Sequence, residues 1–370
     1  MARNRVIYQS EALFMNKAAQ WFDGYLQLER VQSANYNYTI NRQDVNQYGQ
    51  LGKLDSIILD APTVSADVSY YVTDGYTERV LGFWVDYNGS SDGSSAGVSF
   101  VSGHLADGSG TNMVILTTPE GTDADLPSRT SLATTNSAIG IGNCYLTDYS
   151  LDLAVGAIPT VSVSFDALNI NAEDDASSIV SPAINVLDGE PIGGTTISLP
   201  DATTGIGTIT ALRPGDITVD IANFEGDGLI NITSGVEGAH VQSASLSIPL
   251  SRSALERLGS KTAYARSVDF PVVATLAVTA IVNEAETSNL AELLDSENEK
   301  TVTLTLKADD DTALGVKYTL KGCSFDSESI TSSIGSNKSV DLSFSTSVGG
   351  PSDTAHGVFM SGSSNNRGNM

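Results

Sequence analysis

The residues able to do chemistry are few and scattered. Cys144 and Cys323 lie far apart, and His104, His240 and His356 stand isolated from one another and from the cysteines, so no metal-ligand spacing forms. Gly93-Ser94-Ser95-Ala96-Gly97 matches a nucleophile-elbow pattern, but that turn needs a strand before it and a helix after it. Here it sits in a Gly/Ser-rich stretch, and a loop is expected. Asp309, Asp310 and Asp311 do not alternate as a calcium loop requires and read as a solvated hairpin turn, and Glu173, Asp174 and Asp175 read the same way. Trp21 and Trp84 fit core packing better than a ligand platform. Asn37-Tyr38-Thr39 and Asn231-Ile232-Thr233 match glycosylation acceptors, but the opening MARNRVIYQSEALF lacks an uninterrupted apolar stretch and no secretory signal is expected. The expectation is a protein that is not an enzyme, with no catalytic, cofactor-binding or metal residues and no cofactor.

Composition narrows the class. The 370 residues include 44 acidic and 19 basic side chains, a formal charge of −25. Such a chain does not hold duplex DNA by neutralising phosphates. Charged residues are only 17% of the total, so the polar surface must be built from Ser, Thr, Asn and Gly, which favour strands and turns. No apolar run is long enough to span a membrane as a helix. The two distant cysteines are expected as buried free thiols rather than a disulfide framework.

The chain repeats itself. VQSANYNYTINRQDVNQYG from Val31 aligns with VQSASLSIPLSRSALERLG from Val241 at an offset of 210, and LDAPTV from Leu59 with VDFPVV from Val268 at 209. CYLTDYSLDLAVGAIPTVSVSF from Cys144 aligns with CSFDSESITSSIGSNKSVDLSF from Cys323 at 179. The fall in offset places an insertion of about 30 residues in the first copy, expected at 87–131. The domain plan is a first copy at 1–171, a linker or insertion at 172–212, a second copy at 213–350 and a disordered tail at 351–370.

The elements that follow are mainly strands. Tyr36, Tyr38 and Ile40 alternate with polar residues, as do Leu246, Ile248 and Leu250. Leu255 and Leu258 have helical spacing, so a short helix capped by Ser251 and ended by Gly259 is expected, with Asn41 and Gly49 in the same places in the first copy. Strands follow at APTVSADVSYYVTD and FPVVATLAVTAIVNE. A second helix is expected over 287–297, its counterpart TERVLGFWV being less clearly helical. KTVTLTLKA and VKYTLKGCSF form a hairpin, and each copy ends in two strands around Gly156 or Gly335.

This layout resembles the major tail protein of tailed bacteriophages, which forms the tail tube. The carriers are the VQSANYNYTINR/VQSASLSIPLSR pair, the two Cys-to-Phe blocks and the opening RVIYQSEALF, covering most of residues 1–348. The resemblance implies two tandem β-sandwich or half-barrel domains, each flanked by a helix, with a long loop or hairpin reaching the next ring. It implies a virion protein, assembled in the host cytoplasm, that stacks head-to-tail as rings. Since the family ring uses six domains, a duplicated chain is expected to close it as a trimer with pseudo-sixfold form. Partners implied are other copies of itself, tail proteins at the tube ends and double-stranded DNA passing through, with no membrane. The negative charge serves either to repel DNA from a lumen wall or merely to confer solubility. Another tail or baseplate component, or a tandem Ig-like adhesin, shares the β-rich look.

Overall fold

The computed structural model describes residues 6–7, 10–16, 24–59, 61–86, 98–105, 110–124, 136–186, 188–192, 196–197, 199, 212, 217–222, 240–259, 262–281, 299–307, 314–333, 335, 337–350 and 352–362. The first half contains β1 (Glu11–Asn16), β2 (Leu26–Gln27), β3 (Val31–Thr39), β4 (Arg42–Val45), β5 (Asp55–Ile58) and β6 (Thr63–Tyr71). Helices α1 (Tyr76–Leu81) and α2 (Ser102–Leu105) follow, then β7 (Thr111–Thr117), β8 (Ser137–Ala154), β9 (Thr160–Ala167) and β10 (Asn169–Glu173). The second half contains β11 (Ile217–Ala222), β12 (His240–Pro249), β13 (Arg252–Leu255), β14 (Ala265–Val268) and β15 (Val273–Ile281). It ends with β16 (Lys300–Lys307), β17 (Leu314–Thr331), β18 (Ser339–Ser347) and β19 (Gly357–Gly362). The fold is mainly β and antiparallel.

One long layer runs β3-β6-β9-β8-β12-β15-β18-β17. Its interior strands alternate, as a sheet with one wet face must. Val64, Ala66, Val68 and Tyr70 of β6 are buried, as are Ala274, Leu276, Val278 and Ala280 of β15, while the residues between them are mostly exposed. Two smaller sheets back it. One runs β2-β1-β7-β8-β10, the other β11-β16-β17-β19.

Strands β8 and β17 belong to both layers. Their first parts pair in the small sheets and their last parts in the long one. Each changes layer beside a register shift, at Thr147 in β8 and Asp326 in β17. An extra residue bends a strand and sharpens its twist, which lets one chain segment turn a corner. One large apolar core draws on both halves, from Leu13 to Met360, and two smaller clusters, around Phe14 and around Tyr145, stand apart from it. Phe83 and Phe100 stack at 4.2 Å inside the large core, with Tyr149 edge-on to both.

Four expectations are corrected. Residues 252–259 are not a helix: β13 pairs with β14 as a hairpin, and β4 pairs with β5 in the same way. Leu255 and Leu258 are exposed, so a helix there would bury no face and have little to hold it. Gly49 and Gly259 do have positive φ, 87° and 85°, but in hairpin turns. The segment 87–131 is not one inserted loop. It contains β7, an interior strand between β1 and β8, and the buried Phe100 and Val101. The linker is not a bare connection. Its Ala176, Ile179, Ala183, Ile184, Ile197 and Leu199 are buried. Residues 357–362, expected in a disordered tail, form β19, buried along its whole length against β17. The helix expected at 287–297 lies outside the described residues, while α1 occupies the less polar counterpart.

Candidate functional site

Among the described residues, the candidate chemistry-bearing side chains do not converge. Both cysteines are buried free thiols, and burial pushes each up to about 12. His104 packs edge-on against Phe83 at 4.6 Å, and His240 is exposed. His356 sits between Glu299 and Asp353 at 3.2 and 3.4 Å, and those carboxylates raise its pKa, Glu299 foremost. Asp175 caps a 3-10 turn by accepting from Ser177 N and Oγ. Trp84 is half-buried, whereas Gly93–Gly97, Asp309–Asp311, Trp21 and Asn231 lie outside the described residues. Among the described residues no three His, Cys, Asp or Glu side chains gather as a metal site would require.

What the fold assembles instead are surfaces. The first is the wet face of the long sheet. Its side chains are Ser33, Asn35, Asn37 and Thr39 of β3, Ser65, Asp67 and Ser69 of β6, and Ser162, Ser164 and Asp166 of β9. Asp148, Ser150 and Asp152 of β8 continue it across Ser243, Ser245 and Ser247 of β12. Thr275 and Thr279 of β15 and Asp341, Ser343 and Ser345 of β18 carry it on to Ser327 and Ser329 of β17.

Small hydroxyls dominate this face, and its only formal charges among the described strand residues are carboxylates. Neighbouring strands pin several of them. Ser164 Oγ donates to Asp67 at 2.7 Å, Ser245 Oγ to Asp152 at 2.9 Å, Thr279 Oγ1 to Asp341 at 2.8 Å and Ser345 Oγ to Asp326 at 3.0 Å. From outside the sheet Arg266 reaches it, with Nη1 3.2 Å from Asp166 Oδ2.

The second surface is a pair of hairpin tips. The register places the β4–β5 and β13–β14 hairpins at the same end of the long sheet, because Thr39, Thr63, Ala167, Asp148, Pro249 and Ser347 all lie there. Tyr48, Leu51 and Leu258 are fully exposed on them, and Val45, Leu54 and Leu255 partly so. The opposite end carries the short β8–β9 and β17–β18 turns, where Gly156 and Gly335 take φ of 80° and 93°.

The third feature is the junction between halves. β12 pairs with β8 from Ser243 opposite Ala154 to Pro249 opposite Asp148. Leu246, Ile248 and Leu250 are fully buried there, each burial contributing about 2 kcal/mol. Behind it Tyr149 and Tyr318, one from each half, share a hydrogen bond of 2.8 Å, and Tyr70 Oη donates to Glu78 Oε1 at 3.1 Å. Burial raises Glu78 to about 7. The second hairpin is clamped to the first half as well. Arg252 donates to the carbonyls of Leu146, His104 and Arg266, and both Arg252 and Arg266 lie over the Tyr145 ring.

Sequence reading missed the pinned aspartates and the apolar tips. The aspartates have a readable signal, acid and hydroxyl on alternate strand positions, but which face is wet depends on the backing sheets. No protein-family model matches the chain, and no curated protein matches its sequence.

Proposed function

We propose that this protein is the subunit of a hollow, DNA-conducting tube of the phage tail-tube kind, built from two fused copies of one tube domain. The observation that carries the reading is the long sheet's wet face, a continuous carpet of hydroxyls and carboxylates without a lysine or arginine among its described strand residues. Turned inward around a bore, such a wall repels phosphate and offers no site of counterion release, so DNA slides without being held.

Duplication is supported by matching strand partners. In the first half β3 pairs with β6, β6 with β9, β9 with β8 and β8 with β7. In the second β12 pairs with β15, β15 with β18, β18 with β17 and β17 with β16. Register shifts recur at aligned residues, at Gln32 and Gln242 and at Thr147 and Asp326. The extra length of the first copy lies on both sides of β7, in the β6–β7 and β7–β8 connections.

Stacking is supported by the unlike ends of the sheet. Apolar hairpin tips project from one end and glycine turns from the other, so copies meet head-to-tail, and contacts of that kind extend without closing. Three chains supply six equivalent domains. At the usual strand spacing of ~4.8 Å their long sheets form a wall roughly 115 Å around and roughly 37 Å across between backbones, wide enough for a duplex. Electron microscopy of the purified, concentrated protein tests the reading. Hollow tubes with three chains per ring are expected. Monomers at every concentration, or six chains per ring, would sink it.

A further inference from the structure

We propose that the ring closes by an intermolecular copy of the β8–β12 junction, with β3 of one chain adding antiparallel to the last part of β17 in the next. This deepens the tube reading and rests on it.

Two edges of the long sheet stay open among the described residues. β3 pairs only with β6, and the last part of β17, from Ser324 to Thr331, pairs only with β18. By alignment they are the counterparts of β12 and β8, the two strands that meet inside the chain. The side chains follow the same logic. Leu246, Ile248 and Leu250, beside β8, are fully buried, whereas Tyr36, Tyr38 and Ile40, at the aligned positions, are 42%, 57% and 39% exposed. On the other edge Leu151, beside β12, is fully buried, whereas its counterpart Ile330 is 39% exposed. A bare strand edge carrying apolar side chains is a template for pairing. The chain itself already presents the matching partner edge, so the occupant is a second copy.

The internal register transfers residue by residue. Leu246 opposite Leu151 becomes Tyr36 opposite Ile330, and Ile248 opposite Tyr149 becomes Tyr38 opposite Glu328, a phenol facing a carboxylate. On the wet face Ser247 opposite Ser150 becomes Asn37 opposite Ser329. Backbone bonds at the internal junction fix the pair type as well. Leu250 N donates to Thr147 O at 2.8 Å and Val155 N to Gln242 O at 2.9 Å, so pairs at even positions of β12 are hydrogen-bonded and Ser247–Ser150 is not. The inherited Asn37–Ser329 pair is then of the close type, Cα atoms ~4.5 Å apart, within disulfide reach.

The test is oxidation of the full-length double variant Asn37→Cys/Ser329→Cys under assembling conditions, read on a non-reducing gel beside electron microscopy. Both native thiols are buried, so the engineered pair reports alone. Covalent trimers are expected, with none from either single variant or from the shifted pair Asn37→Cys/Thr331→Cys. Rings or tubes without the cross-link, or cross-linking of the shifted pair instead, overturn this junction and leave the tube reading standing. Monomers throughout overturn both. Tyr38→Asp provides a second readout that leaves the chain's own core intact. It should keep the wild-type melting temperature and raise the assembly concentration at least about tenfold. Unchanged assembly would contradict the proposal.

Discussion

Val31–Thr39 and Val241–Pro249 begin with the same four residues, Val-Gln-Ser-Ala, and both carry a register shift at the glutamine. They end in opposite surroundings. β12 lies between β15 and β8 with its apolar row sealed, while β3 lies at the rim with its row open to water. The attached hairpins differ in the same sense. Arg252 is held by three carbonyls, whereas its counterpart Arg42 is exposed. Aligned segments thus share a backbone plan, and what differs is whether a partner lies within the chain. Under the proposed assembly, the exposed row of β3 is what a single chain leaves for its neighbour to cover.

The comparison breaks hardest at the paired row. Ile248→Ala removes buried methylenes from the internal junction and should cost about 2–5 kcal/mol of monomer stability, while Tyr38→Ala should stay within about 0.5 kcal/mol. Chemical denaturation of both variants below the assembly concentration checks this. Equal losses would mean that β3 is already covered within the chain.

The polar tie behind the junction gives the next effect. Glu78 has a raised pKa in the folded protein, about 7 against an ordinary 4.5. Between those values the folded state binds more protons than the unfolded state, so this group's contribution to stability falls as pH rises from 4.5 to 7 and levels off above. The size is up to about 3 kcal/mol. Glu78→Gln should flatten that part of the profile and leave the variant relatively more stable at pH 8. A parallel profile for wild type and variant would contradict the buried placement of this carboxyl.

The clamp comes third. Arg252→Ala should cost about 2 kcal/mol through the lost charge-assisted bonds, and Arg42→Ala close to nothing in the monomer. Denaturant midpoints of the two compare them directly. Least visible in stability are the tips. Tyr48→Asp combined with Leu258→Asp should leave the melting temperature unchanged and yield rings that fail to lengthen, a result read by electron microscopy.

Much of this plan is legible in the sequence, for physical reasons that also set its limits. Alternation marks β6, β9, β15 and β18 because each has one wet and one dry face, the condition under which a period of two survives. The glycine turns at 156 and 335 are legible because few other residues accept positive φ there. The hairpins at 42–58 and 252–268 were not, because exposed strands carry no burial period and two leucines three apart fit a helix equally well. β19 was missed because Val358, Phe359 and Met360 form too short an apolar run, flanked by Ser and Gly, to signal a strand that β17 supplies with partners. β7 was hidden inside an apparent insertion for the reverse reason, a core strand bounded on both sides by low-complexity connections. The surfaces were only half legible. Acid and hydroxyl can be seen alternating along Ser65-Ala66-Asp67-Val68-Ser69, but nothing local shows that eight strands would place such rows side by side.

In the proposed assembly, an open edge of this sheet is completed by the same chain's counterpart edge in a neighbouring copy. A cross-section of the assembled particle by electron cryomicroscopy, at a resolution that separates strands, tests it most directly. Three chains per ring and one continuous inner sheet are expected, with Tyr36 of each chain opposite Ile330 of the next. Six chains per ring, or a β3 edge still facing solvent in the assembly, would contradict it.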